Sequence, residues 1–205
     1  MEPFHDLESF YGTQKPYRFE ADVHDCEVIG EIPKGLNGSL YRCGPDTQYP
    51  TLDGDFIING DGMVSMFRFE DGHVDFRCRY VKTARLLAER KARRRLYGRY
   101  RNPYTDLAAA PREDRDNTGN TTAFAHNGRL FALREDSHPH EIDPQTLETL
   151  PTFSFDGALK SKTLTAHPKI DPETGEWWGY GLFADRRFDG DMALIVADKD
   201  GKLSR

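Results

Sequence analysis

The feature that most constrains this chain is a succession of short runs in which apolar and polar residues alternate, each closed by a tight-turn signature. Ser65-Met66-Phe67-Arg68-Phe69 alternates with period two, breaks at Glu70-Asp71-Gly72, and resumes through His73-Val74-Asp75-Phe76-Arg77-Cys78-Arg79-Tyr80-Val81. That pattern is a β-hairpin. Thr122 to His126 turns at Asn127-Gly128 into Arg129 to Leu133, and Asn-Gly favours the positive φ angles of a type I′ turn. A third pattern runs from Ala166 to Ile170 through Asp171-Pro172-Glu173-Thr174-Gly175 into Trp177 to Leu182, and a fourth from Met192 to Ala197, turning at Asp198 to Gly201. Successive hairpins without long helices between them predict an all-β array of antiparallel meanders, for which a propeller blade is the natural repeating unit.

One helix is expected, from Ala84 to about Tyr97, with Thr83 as its N-cap. Residues 102–120 are rich in Pro, Asp, Asn, Thr and Gly and read as a loop. After Gly201 only four residues remain, so the last hairpin has one strand and barely the start of its partner. An unpaired edge of that kind is normally covered, and the chain is therefore expected to be truncated inside a structural unit.

Composition narrows the class. Of 205 residues, 12% are aromatic, too many for intrinsic disorder, and 30% are charged, as on a well-solvated surface. The longest apolar stretches, Met192 to Ala197 and Trp177 to Ala184, fall far short of the roughly 18 residues of a membrane span. The N-terminus has neither a basic start nor an apolar stretch of leader length, so the chain is expected in the cytoplasm. Cys26, Cys43 and Cys78 are odd in number and lack C-x-x-C spacing, as expected of reduced, buried or half-buried thiols.

The net charge of −6 gives no general attraction to nucleic acid. One segment departs from it: Lys82, Arg85, Arg90, Lys91, Arg93, Arg94, Arg95, Arg99 and Arg101 face a single Glu89. No stacking-aromatic signature accompanies them, so they read as a solvated helix face, with a nucleic-acid stripe the weaker alternative. The histidines His5, His24, His73, His126, His138, His140 and His167 show no local metal-ligand spacing. His138 and His140 flank Pro139 and are expected to be exposed, and His73 and His126, beside hairpin turns, to lie on the surface. Gly60-Asp61-Gly62 is a glycine turn too short for a phosphate loop.

Longer blocks carry a resemblance. Gly35 to Pro45, Asn59-Gly60-Asp61-Gly62-Met63-Val64, Tyr100-Arg101-Asn102-Pro103-Tyr104-Thr105-Asp106, Leu133-Arg134-Glu135-Asp136, Glu141 to Thr149 and Thr165-Ala166-His167-Pro168-Lys169-Ile170-Asp171-Pro172-Glu173-Thr174-Gly175-Glu176 resemble, in order and spacing, the carotenoid cleavage oxygenase family. The match extends from about Pro33 onward, and the Tyr100 block is most similar to the branch that cleaves stilbenes and phenylpropenoids. The resemblance implies a seven-bladed β-propeller whose axial Fe(II) is held by four histidines and uses O₂ to split an alkene into two carbonyls. Residues 1–32 then form an N-terminal arm and 33–205 the N-terminal part of a single propeller domain.

The resemblance implies that His167 is the first iron ligand; neutral imidazole suits Fe(II). Glu135 matches an outer-shell carboxylate that accepts an N–H from a ligand histidine. On residue type alone, His167 reads as a satisfied histidine and Glu135 as a solvated strand-end acid. Tyr100 matches the tyrosine that hydrogen-bonds a substrate phenol, and otherwise packs under its loop. Arg134 stands where those enzymes have lysine: it either grips a phenolate or carboxylate in a two-pronged contact, or is paired within the protein, with Glu135 or Asp136. Phe56-Ile57-Ile58-Asn59 departs from the family wording, leaving the pocket's shape open. The other three histidine ligands and the later blades lie beyond Arg205 in such proteins. The expected partners are a small aromatic alkene and O₂, and the alternative function is a non-catalytic propeller fragment or binding module.

Overall fold

The structure is a computed structural model and describes residues 15–52, 57–112, 115–185 and 190–204; His5 and Phe56 lie outside them. Three antiparallel sheets follow one another along the chain. The first orders its strands β1 (Ala21–Val23), β4 (His73–Tyr80), β3 (Asp61–Glu70) and β2 (Gly38–Asp46). The second is a meander of β5 (Thr122–His126), β6 (Arg129–Leu133), β7 (His140–Ile142) and β8 (Thr149–Thr152), and the third orders β11 (Met192–Ala197), β10 (Trp177–Leu182) and β9 (Lys169–Ile170).

The hairpins take the predicted registers. His126 pairs with Arg129 and Thr122 with Leu133, around Asn127 and Gly128 at φ 48° and 70°. Glu70 pairs with His73 around Asp71 and Gly72, also at positive φ. The third hairpin is shorter on its first strand than predicted: Lys169 and Ile170 pair with β10, whereas Ala166 and His167 do not. Pro168 between them has no N–H for a ladder.

Alternation along β6 builds the core on both sides of the second sheet. Leu130 and Ala132 join Val64, Met66, Val81, Ile142 and Leu147 against the first sheet. Phe131 and Leu133 join Phe155, Leu164, Trp177 and Ile195 against the third. The ring of Trp177 lies 4.8 Å from Phe124, 5.3 Å from Phe131 and 5.4 Å from Phe155.

The helix α1 spans Ala84–Ala92, and Thr83 caps it by accepting the Leu86 N–H, as predicted. It stops well before Tyr97. Arg93 turns left-handed at φ 55°, and the N–H groups of Leu96 and Tyr97 bond instead to the Glu89 carboxylate at 2.9 and 3.2 Å. The solvated-face reading of the basic run holds for Lys91, Arg93, Arg94 and Arg99 and is corrected for Arg85 and Arg95, which are fully buried. Arg85 donates to Asn59 Oδ1 at 2.8 Å and to the Asn59 carbonyl at 3.0 Å. Arg95 donates to the same carbonyl at 3.0 Å and lies 3.5 Å from Glu89. Burial and the neighbouring Arg95 charge push the Arg85 guanidinium down to about 10.

Other expectations are corrected too. His140 is buried within β7, and His138 Nε2 lies 2.7 Å from the Ser161 carbonyl. His126 is half-buried, its Nε2 3.1 Å from the Gly175 carbonyl and its ring edge-on to Trp177, whereas His73 is exposed as predicted. Asp61 and Gly62 open β3 rather than forming a free turn. A Cβ on Gly62 would lie 2.3 Å from the Gly119 carbonyl oxygen, so only glycine lets the 118–119 backbone approach. The cysteines are free. No described helix is long and apolar enough to cross a membrane.

Candidate functional site

The candidate residues meet around the end of β6, where the chain leaves the sheet as Arg134-Glu135-Asp136. Glu135 reaches the segment leading into β9. Its Oε2 accepts the Ala166 N–H at 2.6 Å, and its Oε1 lies 3.2 Å from His167 Nε2. The imidazole is more than half exposed, while the backbone N–H of His167 donates to Thr165 Oγ1 at 3.0 Å. Buried Leu164, Thr165, Ala166 and Pro168 fix the backbone on either side, so a solvent-facing histidine stands on a rigid base, oriented by a carboxylate.

Arg134 and Asp136 turn to the other side, toward the loop that carries Tyr100. Arg134 is buried. Its Nη1 donates to the Ile58 carbonyl at 2.7 Å, to Asn120 Oδ1 at 2.7 Å and to Thr118 Oγ1 at 3.0 Å, and its Nε lies 3.8 Å from Asp136. Of the two readings of Arg134, this geometry accords with pairing inside the protein. The guanidinium also lies 4.8 Å over the Tyr100 ring, within cation–π range. The half-buried Tyr100 hydroxyl donates to Asp136 Oδ2 at 2.8 Å. Burial and that carboxylate push the phenol above its ordinary range.

The four predicted residues therefore fall into two pairs, His167 with Glu135 and Tyr100 with Arg134, joined through consecutive residues at one strand end. Arg101 and the acceptors around Arg134 had no assigned role in the sequence reading, and Asp136 entered it only as one alternative partner of Arg134. The signal for them was a charged triplet directly after an apolar strand.

Neutral imidazole and an orienting carboxylate are the right chemistry for a borderline cation such as Fe(II). They are not a complete set. Among the described residues no three His, Cys, Asp or Glu side chains converge as a metal cage. These residues alone therefore do not fit a four-histidine iron site, and His167 with Glu135 amounts to one corner of it.

With this geometry in view, residues 14–205 match the family model described as retinal pigment epithelial membrane protein. The chain belongs to that family, the carotenoid cleavage oxygenases, whose structures are seven-bladed propellers of which it covers a part. It is 50% identical over 193 residues to isoeugenol monooxygenase of Pseudomonas nitroreducens, covering 94% of this chain and 40% of that protein. The crystal structure of lignostilbene dioxygenase from Pseudomonas brassicacearum superposes with a TM-score of 0.95 at 43% identity, over 100% of this chain and 43% of that one. A cobalt-substituted apocarotenoid oxygenase of Synechocystis gives 0.77 at 29% identity, over 93% of this chain and 42% of that one. The chain thus spans about two fifths of the length of these relatives.

Proposed function

We propose that this chain forms the N-terminal part of an Fe(II)-dependent oxygenase that cleaves the double bond of a stilbene or phenylpropenoid, or an apocarotenoid, with O₂ to give two carbonyl products. The observation that carries this reading is the oriented His167 beside Glu135, 3.2 Å apart, with a phenol-bearing Tyr100 held at the same strand end. Isoeugenol and lignostilbene, in the names of two relatives, are aromatic alkenes of the proposed class. Iron, when held by His167 and by ligands from the rest of such a propeller, supplies O₂ activation. The residues of this chain orient one ligand, through Glu135, and receive the aromatic end of the substrate, through Tyr100. The proposed setting is the cytoplasm.

A second reading, a non-catalytic propeller fragment or binding module, is favoured by the same count of donors: one histidine does not hold iron usefully. Anaerobic Fe(II) titration separates the two. The 205-residue chain alone is expected to bind iron weakly and to cleave no alkene; tight stoichiometric iron would overturn the ligand assignment. A chimaera in which this chain replaces the matching part of the P. brassicacearum enzyme is expected to load iron and cleave a stilbene. In it, His167→Ala should lose most iron and activity, and Glu135→Gln should lose less of each. A chimaera that loads iron and cleaves nothing favours the fragment reading.

A further inference from the structure

We infer that the cleft behind Asp136 is a binding site for a small polar carboxylate monoanion, a hydroxy acid. The cleft has a volume of about 370 Å³ and is lined by residues 115–117, by residues 136–138 where the chain passes from β6 to β7, by Thr152 and by the cations Arg112 and Lys162. Its lining includes neither His167 nor Glu135, so the inference does not depend on iron. The two acids of the lining already have cationic partners. Asp116 accepts from Arg115 Nη1 at 2.7 Å, and Asp136 accepts from Arg101 at 2.5 Å and from the Tyr100 hydroxyl at 2.8 Å. Arg115 also donates to Asp106 and to the Arg99 and Asn102 carbonyls. It belongs to the frame of the cleft.

Arg112 and Lys162 differ from Arg115. Both are exposed on the cleft wall, and among the described residues neither side chain makes an ion pair or a hydrogen bond. Asn117 adds a donor from within. It is only 5% exposed, and its Oδ1 accepts from Ser137 Oγ at 2.9 Å, which fixes the amide. Its Nδ2 donates to no described residue. Amides this deeply placed normally have an acceptor, and a carboxylate brings one. His138 stands in the same wall with its Nε2 held 2.7 Å from the Ser161 carbonyl. Charge selects among anions. Arg112, Arg115 and Lys162 against Asp116 and Asp136 leave the described lining with one positive charge in excess, which suits a monoanion. The second charge of a phosphate dianion would face Asp116 and Asp136, and like charges brought together are costly. A guanidinium offers two parallel N–H groups to a carboxylate, and the ammonium and the amide can take its remaining lone pairs. The volume lies within the range of about 300–1,000 Å³ usual for small-ligand sites and exceeds what a carboxylate fills. The walls beyond the cations are Asn117, Ser137, His138 and Thr152, so the body of the acid is polar as well.

The test titrates three probes by calorimetry into the 205-residue chain and into the chimaera, at constant ionic strength and at a pH where phosphate is doubly charged. The probes are shikimate, a polyhydroxylated ring monocarboxylate, its neutral methyl ester, and inorganic phosphate. Shikimate is expected to saturate one site in both proteins and, in the ¹⁵N-labelled chain, to shift the Asn117 side-chain amide signals. The ester should bind about tenfold more weakly or worse, and phosphate should bind more weakly than shikimate. Arg112→Gln and Lys162→Gln, both at exposed positions, should each weaken shikimate by about threefold to fivefold. Asn117→Asp keeps the acceptor for Ser137 and replaces the amide donor with a negative charge, so it should abolish binding. Ester binding equal to that of the acid, phosphate binding as tight as shikimate, or an affinity unchanged in the double variant of Arg112→Gln with Lys162→Gln would each overturn the inference. So would the absence of saturable shikimate binding, or binding by the chain that the chimaera lacks.

Discussion

Two regions of the molecule, the seam between the second and third sheets and the buried cluster beside α1, are built from opposite materials. Toward the third sheet the contact is aromatic, with Trp177 ringed by Phe124, Phe131 and Phe155. Beside α1 and the 57–60 turn it is ionic: Arg85, Arg95 and Arg134 converge on the Asn59 and Ile58 carbonyls, with Glu89 binding two backbone N–H groups behind them. An aromatic seam gains from any good filling of space. A buried ionic seam is stable only while every partner is present. The difference teaches where precision is needed, since the ionic seam is the one that holds Arg134, and through it Tyr100.

The most severe way to break that contrast is Glu89→Leu. It leaves the buried Arg95 guanidinium without its carboxylate and orphans the Leu96 and Tyr97 N–H groups, so a loss of about 5 kcal/mol is expected. The check is the urea midpoint, which should move close to zero denaturant. Trp177→Ala in the other seam should cost about 3–5 kcal/mol, but with less damage around Tyr100. Amide exchange of residues 96–101 distinguishes the two: equal deprotection there in both variants would show that the seams are not separable. Thr83→Ala, which removes the helix cap above the ionic seam, should cost about 1 kcal/mol, read as a small midpoint shift with an unchanged slope.

The smallest effect concerns Cys43, at the edge of the apolar contact between the first and second sheets. Its residue is half-buried, but the sulfur itself is enclosed and sits 3.2 Å from the Gly119 carbonyl, and burial pushes the thiol from 9.0 up to about 12. The folded state therefore holds this proton more tightly than the unfolded chain. Stability from it is complete below pH 9 and is lost as pH rises toward 12. Nothing should change at neutral pH. Thermal unfolding from pH 8 to 11 should show a steeper decline in wild type than in Cys43→Ala; parallel curves would remove the buried thiol from the account.

Much of the site was legible in the wording of the chain. His167, Glu135, Tyr100 and Arg134 stand in blocks similar to those of the family, and the first two do meet. The partnership of Arg134 was left as two alternatives because an arginine beside two acids can serve a substrate or its neighbours, and side-chain type does not decide which. The bond between Asp136 and Tyr100 was not legible, since the two lie 36 residues apart with a loop and a hairpin between them.

The sequence by itself determined the hairpins, their registers and the N-terminus of α1. Asn127-Gly128 and Asp71-Gly72 adopt positive φ at low cost, alternation assigns each strand's faces, and Thr83 caps through a hydroxyl three residues from its partner Leu86. All of these are settled within a few residues. Tertiary structure decided the end of the helix, the burial of Arg85, Arg95 and His140, and the direction of the Tyr100 proton. In each case the deciding partner, whether Glu89, Asn59, the packed face of the second sheet or Asp136, arrives through folding. The energy of a buried charge or hydroxyl depends on the groups around it in space, which neighbouring residues do not specify.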